Sequence, residues 1–413
     1  MDLTVCRLQV VAELAAAGAV VDDLWVEHMK EPASKGKPAG RTRVPRVRPV
    51  ALVGAGTLVG SALTLVGLLW RWSPGRPRPF LDPAGHVLAG SMAEKLRVNI
   101  NGVDQGMFIK SKNRSNPVLL WVHGGPGLPD YFLGEQYPAG LEDLFTVVWW
   151  DQRGTGLSYD PDTPPATMTV EQFIADTLAV TDYLRGRFDQ DRIYLLGHSW
   201  GSFIGIQVAA RAPERYHAYI GMAQMTHQLR SEALAYDYML AAYRNRGELG
   251  MVRALEKAPV SMAGGTPQAY LAVRDKAMHR LGIGTTHDMG SVITGIFLPS
   301  WRFPEYTVGE KLHLWRGRAF SRSFGIWEQI IGVDLARTCR ELNLPVYFFH
   351  GAYDYTCSYT LAEEYFRALR APLKGFYRFD GAAHSPILEQ PELAREFLTT
   401  DVLAGTNRRS SLK

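Results

Sequence analysis

Residues 192–205 read Arg-Ile-Tyr-Leu-Leu-Gly-His-Ser-Trp-Gly-Ser-Phe-Ile-Gly, an apolar run that stops abruptly and continues in a helical pattern. The break places Ser199 between Gly197 and Gly201, and glycines remove the Cβ atoms that would clash in a tight strand-to-helix turn. Such a turn exposes the serine hydroxyl and points the N–H groups of a helix N-terminus at negative charge developing beside it. Ser199 is therefore a candidate nucleophile, although an ordinary glycine turn fits this stretch alone equally well.

The composition is that of a packed globular chain. Of its 413 residues 46% are hydrophobic and 21% charged, enough for one large or two medium domains. The formal net charge is only +4, much of it from one N-terminal run, so the sequence does not indicate a nucleic-acid surface. Cys6, Cys339 and Cys357 have no metal-binding spacing, and we expect neither a metal nor a disulfide framework. Whether Cys339 and Cys357 pair stays open, as does the oligomeric state.

The N-terminal region suggests a membrane anchor. Residues 50–70 carry no charge and, as a helix, are long enough to cross a hydrocarbon core of about 30 Å. More basic residues precede this segment than follow it, which predicts a single-pass protein with residues 1–49 in the cytoplasm and the catalytic domain outside. A buried glycine-rich segment is the alternative, and translation from Met92 would give a cytoplasmic protein. Residues 71–91 are predicted to be a linker.

From about residue 92, apolar runs alternate with longer helical patterns. This alternation predicts an α/β fold whose mostly parallel sheet is covered by helices on both faces, with ligands beyond the carboxyl ends of the strands. We expect a core over residues 92–225 and 335–403, a helical cap at 226–334 and a tail at 404–413. The predicted strands are Val118–Val122, Phe145–Trp150, Ile193–Leu196, Ala218–Met222 and Val346–Phe349.

The turn after the first predicted strand, His123-Gly-Gly-Pro-Gly127, is poor in side chains. Its backbone N–H groups can therefore approach a ligand closely. We predict an oxyanion hole made by the amide of Gly125, or of Gly124, together with that of Trp200. A plain glycine-proline turn is the alternative interpretation.

An acid and a histidine follow the serine in the required order. A nucleophile at a strand-turn-helix elbow is followed along the chain first by an acid and then by a histidine. Asp354 lies in a glycine turn after the last predicted strand, and only His384 among the histidines lies beyond it. We predict that His384 takes the proton of Ser199 while Asp354 orients the imidazole. Asp380 is a rival acid that its closeness to His384 makes a better turn residue. Asp151 precedes the serine and is expected to lock its own loop.

Five motifs in this order resemble the prolyl aminopeptidase (proline iminopeptidase) branch of the α/β-hydrolase superfamily, over about residues 92–403. The resemblance implies an α/β-hydrolase fold with a helical cap. It also implies an aminopeptidase that cleaves short peptides through an acyl-enzyme, with proline a candidate N-terminal residue and with no cofactor. The motifs are His123-Gly-Gly-Pro-Gly, Asp151-Gln-Arg-Gly-Thr-Gly-x-Ser, Gly197-x-Ser-Trp-Gly-Ser, Gly351-x-x-Asp354 and Gly381-x-x-His384.

One position departs from this branch. His198 gives the Gly-His-Ser form that is common in lipases and esterases, whereas prolyl aminopeptidases often carry a small residue there. An esterase or lipase acting on an apolar acyl ester is therefore the alternative function. A non-catalytic binding protein of the same fold is a further alternative.

The resemblance also implies that the cap presents carboxylates to the α-ammonium group of the substrate. The candidates are Glu232, Asp237 and Glu328, although acids on a helical cap usually belong to its solvated face. Aromatic residues of the cap could line an apolar pocket, Trp301 foremost, or form a small core of their own. The other aromatic candidates are Tyr236, Phe297, Trp315 and Trp327.

Overall fold

The apolar runs form one eight-stranded sheet within the part of the chain that the computed structural model describes, residues 64, 67 and 70–412. Each of the five predicted strands is present, because runs of β-branched and aromatic residues favour extended backbone. The strands are β1 (Met92–Ile100), β2 (Val103–Ser111), β3 (Val118–Val122), β4 (Thr146–Trp150), β5 (Ile193–His198), β6 (Tyr216–Met222), β7 (Val346–Gly351) and β8 (Lys374–Phe379).

The sheet is mostly parallel, as predicted. Its spatial order is β1-β2-β4-β3-β5-β6-β7-β8. β2 runs antiparallel to both of its neighbours, whereas β4, β3, β5, β6, β7 and β8 pair in parallel. A two-residue turn at Asn101 and Gly102, both with positive φ, joins β1 to β2 as such hairpins require. The carboxyl ends of the parallel strands consequently meet at one edge of the sheet.

Both faces of the sheet are buried, because successive side chains of a strand point to opposite sides. In β3, Leu119 and Trp121 belong to one hydrophobic cluster, whereas Leu120 and Val122 belong to the other. All four are fully buried, and burial of each such side chain stabilises the fold by about 1.5–3 kcal/mol. Helices on both sides complete the two clusters.

The helices fall into three groups. α2, α3 and α11 cover one face of the sheet, α1, α12 and α13 cover the other, and α4 to α10 lie between β6 and β7 in the chain. The helices are α1 (Tyr131–Gln136), α2 (Val170–Phe188), α3 (Trp200–Arg211), α4 (Gln228–Asn245), α5 (Leu249–Glu256), α6 (Gln268–Arg280), α7 (Leu298–Arg302), α8 (Val308–Ser323), α9 (Ile326–Ile330), α10 (Leu335–Thr338), α11 (Tyr359–Ala368), α12 (Pro386–Glu389) and α13 (Pro391–Phe397).

Residues 226–334, which we call the cap, have a hydrophobic core of their own. It is built from α4, α5 and α6 and includes Tyr236, Tyr243, Leu255 and Tyr270. α8 instead packs against the core of the protein, where Leu314 joins the cluster on one face of the sheet. Other residues in the second half of the cap, among them Met289, Phe303 and Ile330, also join the clusters on the two faces of the sheet.

The predicted membrane anchor requires correction. Most of residues 50–70 lie outside the described residues. Among residues 64, 67 and 70–412, we find no helix with the length and apolar character that crossing a bilayer demands. A span needs about 20 consecutive apolar residues, and the helical residues described in this segment are Thr64, Gly67 and Trp70. This finding contradicts the single-pass localisation predicted from the sequence.

Part of the predicted linker, residues 71–91, lies against the cap. Nζ of Lys311 donates to Oγ of Ser73 at 2.7 Å, and the amide of Gly75 donates to the carbonyl oxygen of Pro304 at 3.0 Å. The amide of Arg78 donates to Oε1 of the fully buried Glu305 at 3.0 Å. We call residues 73–78 the strap.

Candidate active site

Ser199 occupies a strained turn between β5 and α3. Its φ of 55° and ψ of −118° lie in a region that residues other than glycine rarely adopt. A Cβ on Gly197 would lie 2.4 Å from the carbonyl oxygen of Gly201, and one on Gly201 would lie 1.9 Å from that of Val122. Both glycines are therefore required by close backbone packing, which holds Ser199 at the carboxyl edge of the sheet.

Asp354 and His384 meet at the same edge. Nδ1 of His384 lies 3.0 Å from Oδ1 and 2.9 Å from Oδ2 of Asp354, so Nδ1 carries the hydrogen of this contact and Nε2 remains free to accept a proton. Asp380, the rival acid, is exposed and accepts instead from Arg378. The structure thus pairs His384 with Asp354, 30 residues earlier in the chain.

The carboxylate of Asp354 is fixed from several directions. Oδ1 accepts from the backbone amides of Thr356 and Cys357, each at 2.9 Å, and Nε2 of His350 lies 3.2 Å from Oδ2. Burial raises the pKa of Asp354, but the charge of His384 and the hydrogen bonds outweigh it and hold that pKa well below its usual value. Asp354 is therefore ionised at neutral pH.

A partly buried carboxylate, that of Glu389, holds the loop around His384. Oε1 of Glu389 accepts from the amides of Ala383 and Ser385 at 2.9 and 3.0 Å, and Oε2 accepts from the amide of His287 in the cap at 2.6 Å. Burial raises the pKa of Glu389 to about 7. Burial lowers the pKa of His384, and the carboxylate of Asp354 opposes this only in part.

The side chain of His198 contacts the same loop. Its Nε2 lies 3.1 Å from the carbonyl oxygen of His384 and its Nδ1 lies 2.8 Å from Oδ2 of Asp130. The residue that departs from prolyl aminopeptidases in sequence is thus buried behind His384.

Ser199 and His384 are each only 7% exposed, and His198, the neighbour of Ser199 in the chain, contacts the carbonyl oxygen of His384. Among the described residues no hydrogen bond joins Oγ of Ser199 to His384; the hydroxyl instead contacts Sγ of Cys357 at 4.0 Å. Cys357 and Cys339 are both buried free thiols. They do not pair with each other.

The glycine-rich turn after β3 lies beside Ser199. A Cβ on Gly124 would lie 3.3 Å from that of Ser199, and Gly125 has a φ of +121°. Gln152 ties this turn to the serine turn, because its Nε2 donates to the carbonyl oxygen of His123 at 2.8 Å while its Oε1 accepts from Nε1 of Trp200 at 2.9 Å. Burial lowers the pKa of His123 to about 4.

Asp151 closes its own loop, in agreement with the prediction. Oδ2 accepts from the amide of Leu157 at 2.7 Å and from the hydroxyl of Tyr306 at 3.2 Å, and the hydroxyl of Ser158 donates to the backbone carbonyl of Asp151. Burial raises the pKa of Asp151 to about 8. This carboxyl group is therefore engaged by its own loop and by Tyr306 of the cap.

The three carboxylates proposed for the cap have different surroundings. Glu232 is fully buried, and Nε and Nη2 of Arg274 both donate to its two oxygens at 2.7 Å. Tyr270 and Gln228 donate to the same carboxylate at 2.7 and 2.8 Å. Glu328 and Asp237 are exposed, as acids on a solvated helix face are. The structure therefore brings only Glu232 near the serine, through Gln228, and that carboxylate is already saturated.

The aromatic candidates of the cap do not form one pocket. Tyr236 belongs to the core of the cap, and Phe297 contacts Trp301 and Trp315, with ring centroids 6.2 and 5.0 Å apart. The carbonyl oxygen of Trp301 accepts from Lys311, next to the strap. Trp327 packs against the hydrophobic cluster that contains α2 and α3.

Sequence reasoning missed several residues of the site. His350 ends an apolar strand, Cys357 carries no motif, and Arg274 meets Glu232 only because α4 and α6 pack together. Glu389 could have been considered from the sequence, because it is an acidic residue only five positions after His384. Within residues 64, 67 and 70–412 no three His, Cys, Asp or Glu side chains are grouped as a metal ion would need.

Residues 117–391 match the alpha/beta hydrolase fold family. A probable aminopeptidase of Bacillus subtilis (strain 168) is 28% identical over 305 residues, which cover 73% of this chain and 94% of that protein. A proline iminopeptidase of Lactobacillus delbrueckii subsp. lactis is 23% identical over 290 residues, 68% of this chain and 88% of that protein. The structure of a proline iminopeptidase-related protein from Thermus thermophilus aligns with a TM-score of 0.51 and 23% identity, covering 76% of this chain and 98% of that one. The resemblance drawn from the motifs is thereby confirmed.

Proposed function

The chain belongs to the alpha/beta hydrolase fold family, and from this premise we propose that it is a serine hydrolase, an aminopeptidase that releases N-terminal residues from short peptides. The observation that supports this most is the His384–Asp354 contact of 2.9 Å beside a serine in a strained turn. This arrangement joins a weak nucleophile, a base and a group that orients the base. Among the named relatives are the probable aminopeptidase and the proline iminopeptidases.

The proposed reaction begins with proton transfer from Ser199 to Nε2 of His384 as Oγ attacks the scissile carbonyl carbon. Asp354 holds the imidazole by Nδ1 and stabilises the imidazolium that forms. The tetrahedral intermediate collapses, the C–N bond breaks, and the leaving amine takes the proton from His384. Water then hydrolyses the acyl-enzyme by the same steps and restores the hydroxyl of Ser199.

Two backbone amides are proposed to stabilise the oxyanion. Trp200 is the first residue of α3, so its amide has no partner within the helix. The amide of Gly125 comes from the turn that Gln152 ties to Trp200. A single donor of this kind contributes about 3–4 kcal/mol to the transition state in serine hydrolases.

The test is a side-by-side assay of the purified protein with prolyl and alanyl arylamides and with short acyl esters. We expect arylamide turnover, and a fall in kcat of at least about 10³-fold in Ser199→Ala. A fluorophosphonate probe should label the wild-type protein but not Ser199→Ala. Labelling that persists in Ser199→Ala would exclude this serine as the nucleophile and favour a binding protein of the same fold.

An ester hydrolase is the second candidate, and one contact favours it. Glu232, the candidate ligand for an α-ammonium group, is already bonded by Arg274 and Tyr270. Turnover of esters without any arylamide turnover would establish this candidate and end the aminopeptidase proposal.

A further inference from the structure

Five charged side chains of the cap lie together. Arg274 and Asp275 are on α6, Glu232 is on α4, and Arg318 and Arg322 are on α8. Arg274 binds both Glu232 and Asp275, and Nη2 of Arg318 lies 3.7 Å from Oδ2 of Asp275. Three guanidinium groups against two carboxylates leave one net positive charge. We call this group the arginine cluster.

The arginine cluster reaches the candidate nucleophile through direct contacts. Sγ of Cys357 lies 4.0 Å from Oγ of Ser199 and 3.8 Å from Oε1 of Gln228. Nε2 of Gln228 in turn donates to Oε1 of Glu232 at 2.8 Å. Arg274, bonded to Glu232, is thus three side chains away from Ser199.

α8 brings the cluster to the other side of the serine. Ser321 of α8 lies against the glycine-rich turn, where a Cβ on Gly127 would be 2.7 Å from the Cβ and Oγ of Ser321. Arg318 precedes Ser321 by three residues, so the two side chains lie on the same side of the helix. The arginine cluster is therefore linked to Cys357 through Gln228 and to the predicted oxyanion turn through Ser321.

Arg318 is the member with unused donors. Arg274 donates hydrogen bonds to Glu232 and Asp275. Arg318, with a side chain only 20% exposed, lies 5.7 Å from the ring centroid of Trp315 and makes no hydrogen bond within the described part of the chain. Burial lowers the pKa of Arg318 to about 10. Nearby, Oγ of Ser321 is also without a partner among the described residues, and Ser321 is 1% exposed. Half-buried donors without partners are costly unless a ligand supplies acceptors.

We infer that Arg318, with Ser321 beside it, binds a carboxylate of the substrate, so that the enzyme prefers N-terminal glutamyl or aspartyl residues. Arginine presents a planar fork that a carboxylate matches with two hydrogen bonds. The single excess positive charge suits a monoanion. The inference rests on the proposed function and replaces proline with an acidic residue at the cleaved position.

The test compares glutamyl and glutaminyl 4-nitroanilides, which differ only in the charged group. We expect wild-type kcat/KM to be at least about tenfold higher for the glutamyl substrate, since a site built to bind a group rejects its analogue. Arg318→Gln should bring the ratio of the two values close to one. Arg316→Gln, about 200° round the same helix, should keep the wild-type ratio. An equal rate for both substrates in the wild type, or an unchanged ratio in folded Arg318→Gln, would overturn the inference.

Two additions keep the result interpretable. If Arg318→Gln does not fold, Arg318→Lys replaces it; the loss of the fork should lower the ratio at least about threefold, and an unchanged ratio would count against the inference. If prolyl or alanyl arylamides are hydrolysed but neither of these anilides is, the inference is overturned while the aminopeptidase proposal stands. If no arylamide of any kind is hydrolysed, the aminopeptidase proposal fails, and 4-nitrophenyl hydrogen adipate is compared with 4-nitrophenyl adipamate. A preference for the charged ester that Arg318→Gln abolishes would then support the carboxylate site, and equal rates would overturn it.

Discussion

His384 must be uncharged to accept the proton of Ser199. Burial lowers its pKa more than the carboxylate of Asp354 raises it, so the neutral form prevails at pH 7. Activity requires this form, and we expect kcat/KM to rise with pH along an acidic limb whose midpoint lies below the ordinary histidine value of about 6.5. The measurement is kcat/KM for an arylamide between pH 4.5 and 8.

Asp354 and Glu389 provide the controls for this limb. Asp354→Asn removes the charge that raises the pKa of His384, so the midpoint should fall further while kcat falls by about 10⁴-fold. Glu389, whose pKa burial raises to about 7, could produce a limb of its own. A limb near pH 7 that disappears in Glu389→Gln would assign the titration to Glu389 and contradict the prediction for His384.

Glu389 is expected to position His384 without touching the substrate. A glutamine cannot accept from all three amides that now donate to this carboxylate, those of His287, Ala383 and Ser385, because one side of its amide is a donor. We expect Glu389→Gln to lower kcat/KM by about 10–100-fold through displacement of the imidazole.

Glu392→Gln is the matched control for Glu389→Gln, because Glu392 is an exposed residue in the first turn of α13. It should leave kcat/KM unchanged. The two proteins are compared well below their melting temperatures, so that lost stability does not imitate lost positioning. Equal activity of Glu389→Gln and the wild type would show that the three hydrogen bonds are only structural.

At the scale of elements, the turn that connects β5 to α3 requires a residue without a side chain at position 201. A Cβ on Gly201 would lie 1.9 Å from the carbonyl oxygen of Val122, and backbone at the centre of the sheet cannot withdraw. We expect Gly201→Ala to lower the free energy of unfolding by at least about 3 kcal/mol. Denaturant unfolding followed by circular dichroism measures the change.

Gly186→Ala is the control for Gly201→Ala, and we expect it to change the free energy of unfolding in the opposite direction. Gly186 lies in α2, where an added Cβ would meet no atom within 4 Å. Gly186→Ala should raise the free energy of unfolding by about 0.5–1 kcal/mol, because alanine favours the helix. If Gly186→Ala loses as much stability as Gly201→Ala, contact with Val122 is not the cause of the loss at Gly201.

Local pattern explains which elements the sequence could predict. β3 to β7 are continuous apolar runs, and the residues that follow them meet at one edge of the sheet because parallel strands share a direction. Asp354, which follows β7, was predictable for that reason, and His384 was predictable because it alone among the histidines lies beyond Asp354 in the sequence. The bond between Glu232 and Arg274 was not, because it depends on how α4 packs against α6, 42 residues apart. The uncharged run at 50–70 has the composition of a membrane-spanning helix. Composition alone could not establish that these residues cross a membrane.

At the scale of the molecule, the cap is held by the core on one side and by the strap on the other. The strap satisfies polar groups that burial would otherwise leave unpaired. Nζ of Lys311 donates to Ser73 at 2.7 Å, and Glu305, fully buried, accepts from the amide of Arg78 as well as from Lys110 and Tyr131. Burial lowers the pKa of Lys311 to about 8.

A protein that starts at Met92 would lack the strap. Lys311 and Glu305 would then lose hydrogen bonds in places that water reaches poorly, and a buried polar group left without a partner costs about 1–3 kcal/mol. We expect the melting temperature to fall by at least about 3 °C, since two such groups cost at least about 2 kcal/mol and 1 kcal/mol corresponds to about 1.5 °C at an unfolding entropy of about 2.1 cal/mol/K per residue. Differential scanning calorimetry of the two proteins measures the shift.

A second truncation separates the strap from everything before it. A protein that starts at Trp70 keeps Ser73, Gly75 and Arg78, and it should melt at the temperature of the full chain. If the Met92 protein also melts there, the contacts of Lys311 and Glu305 with the strap contribute nothing to stability. If both truncations melt earlier by the same amount, the loss comes from removing residues before Trp70, because the two proteins differ only in residues 70–91.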